Sequence, residues 1–118
     1  MADAESFEQQ RERLMNLMLE KGGRTTKRFL NLDQATYRDG LLPARQKELL
    51  GLVASAVLRC DDCITYHLQQ SHEAGWSDDE IREALEVAMV VGGSITIPHV
   101  RRAYGVIEEW GEAPRSSQ

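Results

Sequence analysis

The sequence predicts an all-α protein, a single-domain helical bundle of about six helices. Three observations predict it. Six segments carry apolar residues at the three- and four-residue spacing of a helix face. Breakers, chiefly Gly and Pro, separate those segments. No stretch makes a convincing strand: Val87 to Val91 has a strand-like composition but continues a helical pattern. The 118 residues suit one domain that can bury a modest core, and a chain this small with such apolar helices is expected to associate with copies of itself.

The first segment runs from about Ala4 to Lys21, places Phe7, Leu14, Leu17 and Met18 on one stripe, and ends at Gly22-Gly23. The second runs from about Thr26 to Arg38 and stops at Gly40. The third starts at Pro43, a favoured first helical residue, and carries Leu49, Leu50, Val53, Val57 and Leu58. It is apolar nearly all round after Glu48 and is therefore expected to be central to the core. The fourth begins near Asp61 and runs to Ala74, before Gly75. The fifth opens on Ser77-Asp78-Asp79-Glu80, a capping-box pattern, and its stripe is Ile81, Ala84, Leu85, Ala88 and Met89. Gly92-Gly93 then breaks the chain. With no strand before it and no GK motif after it, this pair is a point of close packing rather than a phosphate loop. The last segment carries Val100, Ala103, Tyr104, Ile107 and Trp110, with Pro98 near its start. The expected core spans residues 41–107, with N-terminal helices over 4–38 and a Gly-, Pro- and Ser-containing tail over 111–118 that is expected to fray.

A formal net charge of −5 argues against nucleic acid as a partner, since phosphate binding needs a basic face. The pairs Lys27-Arg28 and Arg101-Arg102 read as solvated helix faces. The start, MADAESFEQQRERL, has neither the basic end nor the apolar stretch of a secretory signal. No stretch approaches the ~20 apolar residues that span a bilayer. The expected setting is the cytoplasm, with no membrane partner and with both cysteines mostly reduced. A paired CxxC there is catalytic or metal-binding more often than a structural staple.

The chemistry concentrates in Cys60-Asp61-Asp62-Cys63-Ile64-Thr65-Tyr66-His67. Offsets of three and four residues share a helix face, so Cys60, Cys63 and His67 fall in one line. The free amides and dipole of a helix start stabilise a thiolate, the reactive form of cysteine. Two such thiols can close a disulfide, and His67 can move the accompanying proton. Asp61 and Asp62 oppose this, because negative charge disfavours a thiolate. Both are expected to cap the helix and face solvent.

Glu48 lies twelve residues before Cys60. If the third and fourth helices pack antiparallel, Glu48 meets the fourth near His67, with the thiols further along. Spacing alone favours a solvated carboxylate there. Cys60, Cys63 and His67 also make three zinc ligands, although one helix rarely arranges three tetrahedrally and no clean fourth is present. His72 reads as surface. His99, after Pro98, reads as surface, pocket or interface, and Tyr66 and Trp76 read as packing.

Glu48, eleven intervening residues, and then Cys60-x-x-Cys63-x-x-x-His67 resemble the alkylhydroperoxidase D-like branch of the carboxymuconolactone decarboxylase family. Leu42-Pro43, the stretch from Arg45 to Leu50, Ala74-Gly75, Ser77 to Glu80 and Gly92-Gly93 agree, and the likeness covers Leu41 to Ile107. The resemblance implies an all-helical fold and a homo-oligomer, often a trimer or hexamer. It implies antioxidant peroxide reduction by a dithiol that an outside thiol donor recycles, with no cofactor beyond the redox-active disulfide and no bound metal. Cys63 would attack the peroxide, Cys60 would resolve the product, and His67 and Glu48 would relay protons. The chain departs from the namesake peroxidases in two ways. It is shorter, and Asp62 stands where they carry a histidine before the second cysteine. The decarboxylase branch typically lacks the CxxC pair. Two other readings stay open: a decarboxylase or lactone-type enzyme using Glu48 and His67, and a non-catalytic metal-binding or assembly module.

Overall fold

The structure is a computed structural model that describes residues 4–110. The expected tail over 111–118 lies outside the described residues. The described residues form six α-helices: α1 (Phe7–Lys21), α2 (Arg24–Thr36), α3 (Ala44–Leu58), α4 (Asp61–Glu73), α5 (Asp78–Gly92) and α6 (Ile97–Trp110), with a short 3-10 turn at Ser94–Thr96. No strand occurs among the described residues, and Val87 to Val91 is helical.

The chain divides into two compact units, one ending at Arg38 and one beginning at Asp39. In the first, Ser6 starts α1 with a capping box: its hydroxyl accepts the Gln9 N–H, and the Gln9 side chain accepts the Ser6 N–H. Extended Gly23 caps α2, so this helix begins at Arg24, earlier than the expected Thr26. Neither helix contains a buried residue, and Leu14, Leu17 and Met18 of the α1 stripe are all exposed.

The second unit holds the core. Leu52 and Ala56 of α3, Ile64 and Leu68 of α4, Ile81, Leu85 and Ala88 of α5, and Val100, Ala103 and Ile107 of α6 form one buried cluster. Fully burying a side chain the size of Leu or Ile contributes about 1.5–3 kcal/mol. α3 packs on both α4 and α5. It is nevertheless not buried all round: Leu50 is 57% and Leu58 76% exposed, and the buried residues are Leu52, Ser55 and Ala56. The physical reason is one-sided packing. α4 and α5 take one flank of α3, and an apolar groove of about 810 Å³ opens beside it, lined by Leu49, Leu50, Val53, Trp76, Ala84 and Val87 among others.

Local chemistry fixes the element ends. Pro43 caps α3 without a side-chain bond, and Asp39 Oδ1 takes the first free amide, Ala44 N–H, at 2.7 Å. Ser77 and Glu80 form the expected capping box at the start of α5. Arg45 lies over the Trp76 ring with its guanidinium carbon 3.5 Å from the centroid. The Trp76 indole N–H donates to the Arg45 carbonyl at 2.9 Å, which ties the loop after α4 to the first turn of α3. At the end of α5, a Cβ on Gly92 would meet the Thr96 side chain at 2.5 Å, and Gly93 turns the chain at φ 85°. Both positions therefore require glycine.

Candidate functional site

The site is built on the turn between α3 and α4. The Cys60 N–H donates to Ser55 O at 3.1 Å and the Arg59 N–H to Ala56 O at 3.1 Å, which is the Schellman pattern for ending a helix. Its left-handed position, φ 61° and ψ 42°, is held by Arg59, the sole non-glycine with positive φ among the described residues. The chain leaves that turn extended at Cys60, and Cys60 becomes the N-cap of α4. Its Sγ accepts the Cys63 N–H at 3.3 Å. A thiol thus does at the start of α4 what a serine hydroxyl does at the start of α5.

Cys60 is half-buried and Cys63 exposed, and neither is in a disulfide. Burial, then the hydrogen bond to Cys60 and the charges of Cys60 and Asp62, push the Cys63 thiol up to about 11. The Cys63 N–H donates to Cys60 Sγ, and a backbone hydrogen bond offsets only part of the rise at Cys63. In the reduced protein burial and these neighbours therefore favour a proton on Cys63.

His67 lies one helical turn beyond Cys63. Its Nδ1 is 2.9 Å from Glu48 Oε2, and the two side chains are only 10% and 12% exposed. Antiparallel packing of α3 and α4 brings them together. Glu48 is not a solvated surface group. A carboxylate oxygen can only accept, so the proton of this contact sits on Nδ1. The Tyr66 ring meets the imidazole edge-on at 5.1 Å between centroids.

Three other residues differ from their sequence reading. The His72 side chain is only 12% exposed and tilts against the Trp110 ring at 5.1 Å between centroids, because the last turn of α4 is covered. Asp61 does not simply face solvent: its Oδ1 is 2.8 Å from His99 Nδ1 and its Oδ2 is 3.0 Å from Arg102 Nη2. Arg102 correspondingly is not a purely solvated charge. The packing of α6 on α4 makes these contacts. The i,i+3 spacing of His99 and Arg102 was visible in the sequence, but their partner on another helix was not. Among the described residues no three His, Cys, Asp or Glu side chains converge as a metal-binding group. None of Cys60, Cys63, His67 or Glu48 lines the groove beside α3.

The fold and site define a class: all-helical proteins with a CxxC pair at a helix start and a glutamate–histidine contact one turn further on. The carboxymuconolactone decarboxylase family pattern matches residues 24–105, and the chain belongs to that family, which includes alkylhydroperoxidase D-like antioxidant proteins. A family member from Thermotoga maritima, for which involvement in an antioxidative response has been suggested, is 57% identical in a crystal structure. That likeness covers 87% of this chain and 88% of the other, with a TM-score of 0.83. The apo form of a family member from Legionella pneumophila is 26% identical over 86% of this chain and 89% of its own, with a TM-score of 0.74. Uncharacterized protein 4 in the cox locus of Paracoccus denitrificans is 30% identical over 81 residues, 69% of this chain and 73% of that protein.

Proposed function

We propose that the protein is a thiol-dependent peroxidase or disulfide reductase of antioxidant defence that works through a Cys60–Cys63 dithiol. One observation carries the reading: Cys60 Sγ caps α4 on the Cys63 amide, one turn from a histidine held by a carboxylate. The suggested antioxidative involvement of the Thermotoga relative supports it.

In the reaction, the Cys63 proton passes to His67 Nε2 while Glu48 holds Nδ1–H and steadies the imidazolium. The Cys63 thiolate attacks the terminal oxygen of a hydroperoxide. The O–O bond breaks, Cys63 becomes a sulfenic acid, and the leaving alkoxide takes the proton from His67 to depart as an alcohol. Cys60 then attacks the Cys63 sulfur, and the expelled hydroxide leaves as water with the proton from the Cys60 thiol. An outside dithiol donor reduces the disulfide and is itself oxidised. The donor supplies both electrons, so no cofactor or metal takes part. The attacking role of Cys63 agrees with its greater exposure, and the resolving role of Cys60 with its partial burial. The reducing cytoplasm suits such a pair. The exposed apolar side chains Leu50, Val87, Val90 and Val91 favour a homo-oligomer, and the family resemblance implies a trimer or hexamer.

The test counts free thiols per chain before and after a small excess of organic hydroperoxide. Loss of both thiols, restored by a dithiol reductant and absent in Cys63→Ser, is the expected result. Thiols that persist would overturn the reading. Turnover of a lactone or carboxylate substrate that survives Cys63→Ser would point instead to acid–base chemistry by Glu48 and His67.

A further inference from the structure

The first residue of α4, Asp61, stands between the two cysteines in sequence and is gripped from α6. His99 Nδ1 lies 2.8 Å from its Oδ1 and Arg102 Nη2 lies 3.0 Å from its Oδ2. Both oxygens are engaged by residues one turn apart on the same helix. His99 Nδ1 also lies 3.1 Å from Arg102 Nη2. The guanidinium keeps its protons, so this contact needs a lone pair on Nδ1, whereas the contact to Asp61 needs a proton there. The shorter contact pairs imidazole with an anion, and it places the proton on Nδ1. The hydrogen bond from His99, followed by the bond from and charge of Arg102, holds the Asp61 carboxyl below the usual carboxylate range.

The grip falls on the turn that sets both sulfurs, since the Cys63 N–H bonded by Cys60 Sγ belongs to the same first turn of α4 as Asp61. Two carboxylates lie in that turn: the charge of Asp62 helps raise the Cys63 thiol, whereas the Asp61 carboxylate is bonded to His99 and Arg102. The Asp61 carboxylate is matched by a cation from α6. Other charged or titratable groups brought to α4 by neighbouring elements include Glu48 of α3, bonded to His67, and, at the far end of the helix, Arg45 of α3 on the Ala74 carbonyl and Asp78 of α5, 3.9 Å from His72.

We propose that His99 and Arg102 are positioning residues for the thiol pair: they hold the Asp61 carboxylate and neutralise its charge beside Cys60 and Cys63. The inference concerns how readily the pair ionises, and its use in turnover rests on the dithiol reading above. Asp61 then serves as the anchor through which α6 holds and tunes the start of α4.

The experiment measures iodoacetamide alkylation of Cys60 and Cys63 against pH, resolved by peptide mass, in wild type, Arg102→Gln, His99→Asn, Asp61→Asn and the Asp61→Asn/Arg102→Gln double variant. This readout needs no peroxide turnover, so failure of the dithiol reading, seen as no disulfide after oxidant, is distinguishable from failure of this one. Arg102→Gln is expected to move the alkylation profile to higher pH and to slow reaction at pH 7 about threefold, the scale of a part-exposed charge acting on a neighbouring titration. Arg102→Lys is expected to restore the rate. The double variant is expected to react at least as fast as wild type, because the offending carboxylate has gone. A merely structural clamp predicts the reverse: Asp61→Asn alone would slow alkylation as much as Arg102→Gln, and combining them would bring no recovery. That pattern, or unchanged profiles in both Arg102→Gln and His99→Asn, overturns the proposal. Arg102 is 55% exposed at its side chain, so its substitution is not expected to unfold the chain; the melting temperature of each variant checks this.

Discussion

Glu48 Oε2 lies 2.9 Å from His67 Nδ1, across nineteen residues of chain and between two nearly buried side chains. The contact fixes which nitrogen of His67 can take a proton and which way the ring faces. Both members of the pair are sheltered inside the second unit. A charge left alone there costs far more than the same charge at the surface.

Glu48→Gln keeps an acceptor of the same size and removes the charge. Under the dithiol reading it is expected to lower kcat/KM for hydroperoxide-dependent oxidation of a thiol donor about 10- to 100-fold, at or below the lower end of what acid–base catalysis supplies. His67→Asn is expected to lose at least as much. Steady-state kinetics check both. Full activity in Glu48→Gln would remove the carboxylate from the proton path, and its thiol count should match wild type whatever the rate.

Cys63 gives a pH prediction with a definite sign. Its thiol is pushed up to about 11 in the fold, above the value of about 8.5–9 expected in the unfolded chain. The folded state therefore favours the protonated thiol. That contribution is fully present below the unfolded value and is lost as pH rises through about 11. Cys63 alkylation in wild type should accordingly have its midpoint near 11, not near 8.5. Burial is the largest cause, so Cys60→Ser should lower the midpoint only in part, and Asp62→Asn by less. A wild-type midpoint at the free-thiol value would contradict this geometry.

The contrast between Cys60 and Asp61 shows where legibility in the sequence ends. Helix existence, the Ser77 capping box, the Gly92-Gly93 break and the alignment of Cys60, Cys63 and His67 all follow from local spacing, and all are present in the structure. Spacing alone favours a solvated Glu48; the family resemblance points to His67, and antiparallel packing of α3 and α4 makes the contact. Contacts set by the approach of a third helix were not legible. Asp61 reads as a solvated cap until α6 delivers His99 and Arg102 to it. The apolar run of α3 reads as a core helix until packing leaves Leu50 and Leu58 exposed. Composition states how apolar an element is, and only its neighbours decide which face they cover.

Arg59 gives a stability prediction. It occupies the left-handed turn before Cys60 at φ 61°, where a side chain costs about 1 kcal/mol and glycine costs little. Arg59→Gly is expected to stabilise the protein by about 1 kcal/mol in denaturant unfolding, as long as the turn keeps its two backbone bonds. Destabilisation instead would mean that the Arg59 side chain contributes more than its backbone strain costs.

Leu85 and Leu50 separate the core from the groove. Leu85 is 0% exposed within the buried cluster, so Leu85→Ala removes packed atoms and leaves a cavity, costing about 2–5 kcal/mol. Leu50 is 57% exposed on the wall of the groove, so within one chain Leu50→Ala should cost little, about 0.5 kcal/mol or less. The homo-oligomer proposal adds a second effect. If a copy of the chain covers this groove, Leu50→Asp places a charge in an apolar interface. Light scattering should then show a lower mass than wild type, with the helical signal in circular dichroism preserved. Because burying an unpaired charge costs several times more than losing a methyl contact, Leu50→Asp should dissociate the assembly at concentrations where Leu50→Ala remains assembled. An assembly of unchanged mass in Leu50→Asp would place the interface elsewhere, and a wild-type monomer would remove the oligomer from the proposal.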